Sequence, residues 1–519
     1  MGAGAVKAIV VLLFLAALGF VAGSLAADGA KQALIPMGLL VGAVGLLCLG
    51  KHCWVLVFAL PPVFSLLNIS LLASFPVAYL IAGVLLVYWL LMYVMGYVRI
   101  TWHSVPVLDV INLVFILYFL STWLRHPVTI NALVNPITDS GYAVVGGKEY
   151  IWCVAAACCY IFMSIIPLDT KTLGRLLKVV FWFSLVLIFF TTVKNLIFKS
   201  PTPVGGVQFE AEEVERDFSY YNIAKTVYGY LLCKYSFLGI VCSPWRIALL
   251  VGSLFAIAMS GFRSNLMRAG LTMLLTQYVH RQLLLVIFPC LIGYGALLYF
   301  STDRGIMDVL PKGVKRVMTA FPGVEIDDKG MARAAQHSLD WRYEMWEWAL
   351  NPNMGYIKDY VWGDGFGLSS YVHRMQRINI NRRKIFWGDN RIFAQNGVWH
   401  SGYITAIHRT GYVGLALVIV WCVIFALFAL RLCVNIRDVS NREYYLYYIL
   451  PVVPETLVFF ISAGTYNMIF NMFFTMALTK VVYSLAIKEG YMRPMFEKNR
   501  YLPIMLQEIE QRGDAVKQV

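Results

Sequence analysis

The sequence predicts an all-α polytopic membrane protein of about twelve to fourteen transmembrane helices, with one large, mostly helical loop on the outer side. Three observations predict it. Of 519 residues, 59% are hydrophobic and 14% charged, and the mean hydropathy is +0.67. A soluble chain carries about 25% charged residues, so a soluble enzyme of any class is excluded. Continuous apolar runs of spanning length recur along the chain, which excludes the alternating pattern of a membrane β-barrel. A single polar stretch of about a hundred residues interrupts them, and a loop of that length folds and functions.

The spans follow in order. The first run, Val6 to about Ala26, carries Lys7 before it and Ser24-Leu25-Ala26 at its end, as a signal peptide does; we read it as a retained first helix with a cytoplasmic N-terminus. Further runs lie near 33–50, 53–68, 76–97, 105–123, 150–167, 174–198, 221–241, 246–261, 264–280 and 283–300, then near 403–431, 443–463 and 466–487. Orientation comes from the basic residues of short turns. Lys51, Arg99, Lys171, Arg175, Arg246, Arg281, Arg431, Arg437 and Arg442 all fall in turns on one side, with Lys488 and Arg493 in the tail. The acidic run Glu210 to Glu215 falls on the other side. The domains expected are therefore a first helix bundle over 1–300, an outer polar loop over 301–402, the last spans over 403–487 and a cytoplasmic tail over 488–519. The net charge of +14 fits this inside bias and attraction to anionic lipid, or a basic outer site for an anionic substrate. Nucleic acid is not an expected partner, because the chain has no basic, aromatic-interleaved soluble domain. The ten cysteines show no paired CxxC spacing and read as small buried apolar residues.

Inside the loop, Leu339–Leu350 reads as a helix that places Arg342, Met345, Trp346 and Ala349 on one face. Asn351-Pro352 ends it. Gly363, Gly365 and Gly367 mark a tight turn, without the strand and helix that would make a nucleotide loop.

The residues that can carry chemistry are few. Arg263, in the turn between two spans, presents a permanently charged guanidinium that can grip phosphate with two parallel hydrogen bonds, or it snorkels to the interface. Arg342 is either a second phosphate clamp beside a tryptophan that can face a sugar, or part of an interfacial helix anchored by Trp341, Trp346 and Trp348. His400, just before the chain re-enters the membrane, suits proton abstraction from a hydroxyl near neutral pH, or serves as a structural donor. His408 is eight residues on, but no HExxH or third ligand spacing accompanies the two histidines, so no metal site is expected. Asp364, Glu344 and Glu347 are further carboxylates in the right segment, and Asp327-Asp328 reads as solvated loop.

Four pieces then line up with a known family. Tyr221-Asn222-Ile223-Ala224, Ser260-Gly261-Phe262-Arg263, Arg342 to Trp346 followed by Gly363-Asp364-Gly365-Phe366-Gly367, and His400-Ser401-Gly402-Tyr403-Ile404 with Gly411 and Gly414 stand in one order. In that order the chain resembles the bacterial O-antigen ligase and O-antigen polymerase superfamily over roughly Tyr221 to the end of the 403–431 helix. Two departures stand out: the Gly-Phe insert before Arg263, and more spans than the family's usual dozen. The resemblance implies a GT-C-like, metal-independent glycosyltransferase with no cofactor. It implies an undecaprenyl-pyrophosphate-linked glycan as donor at the periplasmic face of the bacterial inner membrane. The acceptor would be lipid A-core sugar for a ligase, the reading we prefer, or a second lipid-linked glycan for a polymerase. Carried over residue by residue, Arg263 and Arg342 hold the pyrophosphate with Trp346 beside them, and His400 orients or deprotonates the acceptor hydroxyl. The competing class is a transporter or flippase for an anionic solute or lipid. That reading expects charges within spans, for which Glu455 is the best candidate and Lys194, Arg268 and Lys480 lie near span ends.

Overall fold

The computed structural model describes residues 50–58, 77–126, 144–146, 148–198, 220–302, 309–318, 321, 323–324, 340, 342–369, 399, 401–436 and 439–495. The first span, the acidic run Glu210 to Glu215, Asp327, Asp328, Trp341, His400 and the tail beyond Met495 lie outside these residues.

Helices dominate. In chain order they include α1 (Val77–Val94), α2 (Pro106–Arg125), α3 (Lys148–Ile165), α4 (Thr170–Phe198), α5 (Tyr221–Lys234), α6 (Pro244–Met259), α7 (Arg263–Val279) and α8 (Leu283–Ser301), with short helices over Phe237–Val241 and Lys312–Met318. After the polar loop, which contributes α9 (342–350), come α10 (Gly402–Asn435), α11 (Arg442–Ile449), α12 (Val452–Val458) and α13 (Tyr466–Lys488). Among the described residues, five stretches are long and apolar enough to cross a membrane: Pro106–Arg125, Thr170–Val193, Gly402–Asn435, Arg442–Ile461 and Tyr466–Lys488. Four shorter apolar helices accompany them. Two expected spans are weaker: α5 has 14 residues and α7 has 17, and both carry charge along their length. The loop also departs from an all-helical reading. β1 (Val144–Gly146) and β2 (Gly367–Ser369) pair antiparallel, Val145 opposite Leu368, because the Gly-rich turn leaves extended backbone whose amides need partners.

The outward faces are what lipid requires. Val84, Val87 and Leu91 on α1, Val110, Leu113 and Leu117 on α2, and Phe288 and Leu291 on α8 are all exposed. Inside, α3 and α13 form the central contact, joined by α1, α2 and α10. Phe119 packs on Phe366, Tyr466 and Phe470 in this core. A smaller cluster holds α5, α6 and α7 together through Ala224, Tyr228, Leu232, Ile257 and Ala269.

Polar contacts gather at the two ends of the bundle. At one end Thr170 N–H donates to Glu489 at 3.0 Å, the Tyr445 hydroxyl to the Thr170 carbonyl at 2.5 Å, and the His103 ring meets the Ile166 carbonyl at 2.8 Å. At the other, the Tyr118 hydroxyl donates to the Thr410 carbonyl at 2.5 Å and Arg125 to the Trp362 carbonyl at 3.1 Å. Among the described residues the cysteines are all free; Cys53, Cys153, Cys159, Cys233, Cys422 and Cys433 are buried, whereas Cys242 and Cys290 are exposed.

Candidate functional site

The polar loop is bonded into the bundle through a break in α10. At Gly411 the helix leaves helical geometry, with φ 70° and ψ −178°. Such a break orphans carbonyls on one side and amides on the other, and in a membrane each must find a partner. The Gly-rich turn supplies them. Asp364 N–H donates to the His408 carbonyl at 2.8 Å and Gly365 N–H to the Arg409 carbonyl at 3.0 Å. In return Tyr412 N–H donates to the Tyr360 carbonyl at 2.8 Å and Val413 N–H to the Val361 carbonyl at 3.3 Å. The approach is close enough to demand glycine. A Cβ on Gly411 would overlap the Val361 carbonyl, and one on Gly363 would meet the Gly411 amide. Gly363 and Gly365 both have positive φ, 79° and 75°.

The loop's helix docks beside this break. Met345 and Ala349 are fully buried against Ile357, Trp399, Ile404 and Ile407, so the face predicted from spacing is the packed one. The helix stops at Leu350, followed by a 3-10 turn over Pro352–Met354 and a left-handed Gly355. Trp346 is half-buried, and its indole N–H donates to the Trp399 carbonyl at 3.2 Å. This ties the helix of Arg342 to the residue preceding His400. His400 itself lies outside the described residues.

Arg263 lies within the electrostatic field of Arg342. Gly261, at φ 69°, turns the chain out of α6, and the Asn265 side-chain amide bonds Ser260 Oγ at 3.1 Å, so that Arg263 opens α7. Partial burial, and then the neighbouring charge of Arg342, pull the Arg263 guanidinium below its ordinary value. Burial does the same to Arg342. Arginine remains charged at neutral pH, so these shifts describe two partly dehydrated cations, one in the field of the other. Arg342 Nε is buried without an acceptor among the described residues.

A second layer lies further along α7. Arg268 Nε meets Glu455 Oε1 at 3.0 Å. Asn265 Oδ1 accepts from Arg268 Nη1 at 3.2 Å and from the Tyr221 hydroxyl at 3.1 Å. Lys225, one turn into α5, lies within the field of Glu455 and Arg268. The sequence singled out Glu455 and Arg268 separately as charges within or near spans; the structure pairs them.

His408 is buried rather than poised at a surface. Its Nδ1 accepts the Trp399 indole N–H at 3.1 Å, and its Nε2 stands 3.6 Å from Asp364 Oδ2. Indole nitrogen only donates, so Nε2 carries the proton of the neutral ring. No group of three metal-binding side chains occurs among the described residues. Sequence reasoning passed over Arg409, which is buried and donates to the Gly365 and Gly367 carbonyls at 3.1 and 3.4 Å. An arginine in the first turns of an apolar helix was the available signal. Lys480 is likewise fully buried; it meets Asp109 Oδ1 at 2.5 Å and Ser164 Oγ at 2.8 Å, towards the far end of the bundle.

No protein-family model matches the chain, and no curated protein matches it.

Proposed function

We propose that the protein is a metal-independent glycosyltransferase that moves an undecaprenyl-pyrophosphate-linked glycan to a sugar hydroxyl, as an O-antigen ligase does. What supports this reading is that Arg263 and Arg342, two half-buried cations from different parts of the chain, share a field: the charge of Arg342 acts on Arg263. Like charges are brought together at a cost, which an anionic ligand offsets. Pyrophosphate is a good leaving group once its charge is neutralised, so two guanidinium groups can do the work of a metal ion. In the reaction, the acceptor hydroxyl oxygen attacks the anomeric carbon while the bond from that carbon to the pyrophosphate oxygen breaks. The lipid pyrophosphate leaves with the bonding pair. The hydroxyl proton passes to His400, the residue after Trp399 in the sequence. On this reading the protein sits in the bacterial inner membrane with cytoplasmic termini, and residues 301–402 are periplasmic.

The test uses purified protein, a lipid-pyrophosphate-linked oligosaccharide, a lipid A-core acceptor and EDTA, with the glycan followed by gel and mass. A single block moved to lipid A-core supports the ligase. A ladder on the original lipid carrier replaces it with a polymerase. A second reading, transport of an anionic solute or lipid, draws on the charges of Arg268 and Glu455 at span depth. Substrate crossing a vesicle membrane without bond cleavage would establish that instead.

A further inference from the structure

We infer that the cavity between the end of α2 and Trp362, at the Gly-rich turn, holds the headgroup of an anionic phospholipid whose acyl chain lies along α2. The cavity has a volume of about 380 Å³ and is lined by Tyr118, Ser121, Leu124, Arg125 and Trp362. That is room for a headgroup rather than for a water or two, each of which takes about 30 Å³. Its charge comes from Arg125. The guanidinium lies over the rings of Tyr118 and Trp362, at 5.6 and 5.3 Å. Both rings are fixed: the Tyr118 hydroxyl donates to the Thr410 carbonyl at 2.5 Å, and the Trp362 amide to Asp359 Oδ1 at 2.9 Å. Arg125 Nη1 donates to the Trp362 carbonyl at 3.1 Å and Nε, more weakly, to the Ser121 carbonyl at 3.4 Å. No carboxylate pairs with it among the described residues. An exposed cation, oriented by two rings at the last residue of a span, matches a lipid phosphate.

The place for the acyl chain is on α2 itself. Ser121 and Leu124 stand four and seven residues beyond Leu117, and Val110, Leu113, Leu117 and Leu124 are all exposed on that one face. From Val110 to Leu124 the face runs about 21 Å, more than the roughly 15 Å half-thickness of a bilayer's hydrocarbon core. The cavity therefore opens at the head of an apolar stripe, which suits an amphiphile and not a free anion. The lining also selects among headgroups. Neither Asp nor Glu lines the cavity, so an ammonium group there meets the charge of Arg125 without a counter-charge. The two aromatic faces that could hold a quaternary ammonium already face Arg125. A phosphoglycerol headgroup brings its phosphate to Arg125 and its hydroxyls to Ser121 Oγ. That oxygen gives its own proton to the Tyr118 carbonyl at 2.6 Å and keeps its lone pairs to accept. None of the residues assigned to glycan transfer takes part.

The experiment follows the full-length protein in detergent by native mass spectrometry and thermal unfolding, with phosphatidylglycerol, phosphatidylcholine of the same acyl chains, or glycerol phosphate added. The wild type should retain phosphatidylglycerol about tenfold more tightly than phosphatidylcholine and melt higher with it. Glycerol phosphate should not displace the lipid. Arg125→Gln should abolish the preference, and Arg125→Lys should restore part of it. Ser121→Phe fills the cavity and leaves the charge in place; it should remove the bound phosphatidylglycerol, and it keeps the test open should Arg125→Gln not fold. Equal retention of the two lipids by the wild type overturns the site. So does a preference that survives in both Arg125→Gln and Ser121→Phe, and variants that melt lower without lipid yet keep the preference make Arg125 a strut between α2 and the turn. Glycerol phosphate competing as well as the lipid overturns the lipid occupant and leaves a site for free phosphate.

Discussion

The backbone amide of Asp364 donates to the carbonyl of His408 at 2.8 Å, while the Asp364 carboxylate stands 3.6 Å from that histidine's Nε2. The Gly-rich turn is therefore joined to α10 through the backbone of this pair, and the Asp364 carboxylate faces the His408 ring. Because the join is made at the break in α10, the polar loop and the bundle form one body there. On the proposed reading, a loop that holds Arg342 against a substrate anchored in lipid needs such a fixed seat.

Gly411→Ala tests the seat. Its φ of 70° and the Val361 carbonyl both exclude a side chain. Backbone strain of this kind costs about 1–3 kcal/mol, and the steric overlap adds to it. Gly355→Ala is the control, because its φ is 66° with nothing near the added Cβ. Thermal unfolding in detergent should show a large loss for Gly411→Ala and a smaller one for Gly355→Ala. Equal losses would mean that the close packing against Val361 contributes nothing.

Lys480, fully buried, and Asp109, half-buried, form an ion pair that the proposed chemistry does not use. Lys480 is fully buried and also lies over the rings of Trp102 and Tyr160 at 4.2 and 4.5 Å, while Asp109 accepts the Tyr160 hydroxyl at 2.8 Å. Removing Asp109 leaves the buried charge of Lys480 uncompensated and costs about 3–5 kcal/mol. Asp109→Ala should therefore lower thermal stability strongly, and Lys480→Met less, because Asp109 keeps access to water. The double variant Asp109→Leu with Lys480→Met should recover most of the loss, since an apolar pair of similar volume serves about as well. A double variant as unstable as the sum of the singles would show that the two residues act independently.

Much of this arrangement was legible in the chain, and the part that was not has a physical cause. Length and hydropathy located the apolar helices, since a span must be continuous and apolar. The spacing of Arg342, Met345, Trp346 and Ala349 gave the packed face of α9, because a 3.6-residue period survives without tertiary context. The glycines announced a tight turn. Its destination, the break at Gly411, was not legible, because nothing local says which distant amides will fill orphaned carbonyls. The pairing of Arg268 with Glu455 and of Asp109 with Lys480 was hidden for the same reason: each joins residues far apart in the chain. The likeness to O-antigen ligases supplied roles for Arg263, Arg342 and His400, which periodicity alone does not assign.

Asp364 should matter for stability more than for chemistry. Its carboxylate accepts the Lys358 and Asp359 amides, each at 2.9 Å. Asp364→Ala leaves both amides without that partner and should cost about 1–3 kcal/mol. Asp364→Asn keeps one acceptor oxygen and should cost less. Limited proteolysis within 351–369 should quicken in the same order. If Asp364→Asn abolished glycan transfer with unfolding and proteolysis unchanged, the carboxylate would belong to the reaction instead.

Arg342→Ala gives the sharpest separation of function from stability. Removing a partly dehydrated cation whose charge acts on Arg263 relieves like-charge repulsion, so the unliganded variant should unfold at the same temperature as the wild type or higher. Transfer should nonetheless fall about 10²–10³-fold, the usual loss when one preorganised group that stabilises developing charge is removed. Arg342→Lys keeps the charge but not the planar pair of donors, and should recover only part of the rate. Added lipid pyrophosphate should raise the melting temperature of the wild type and not that of Arg342→Ala, because only a protein that binds the ligand gains from mass action. An Arg342→Ala protein that melts lower and transfers normally would make this arginine a packing residue, and the anion site would have to be sought elsewhere.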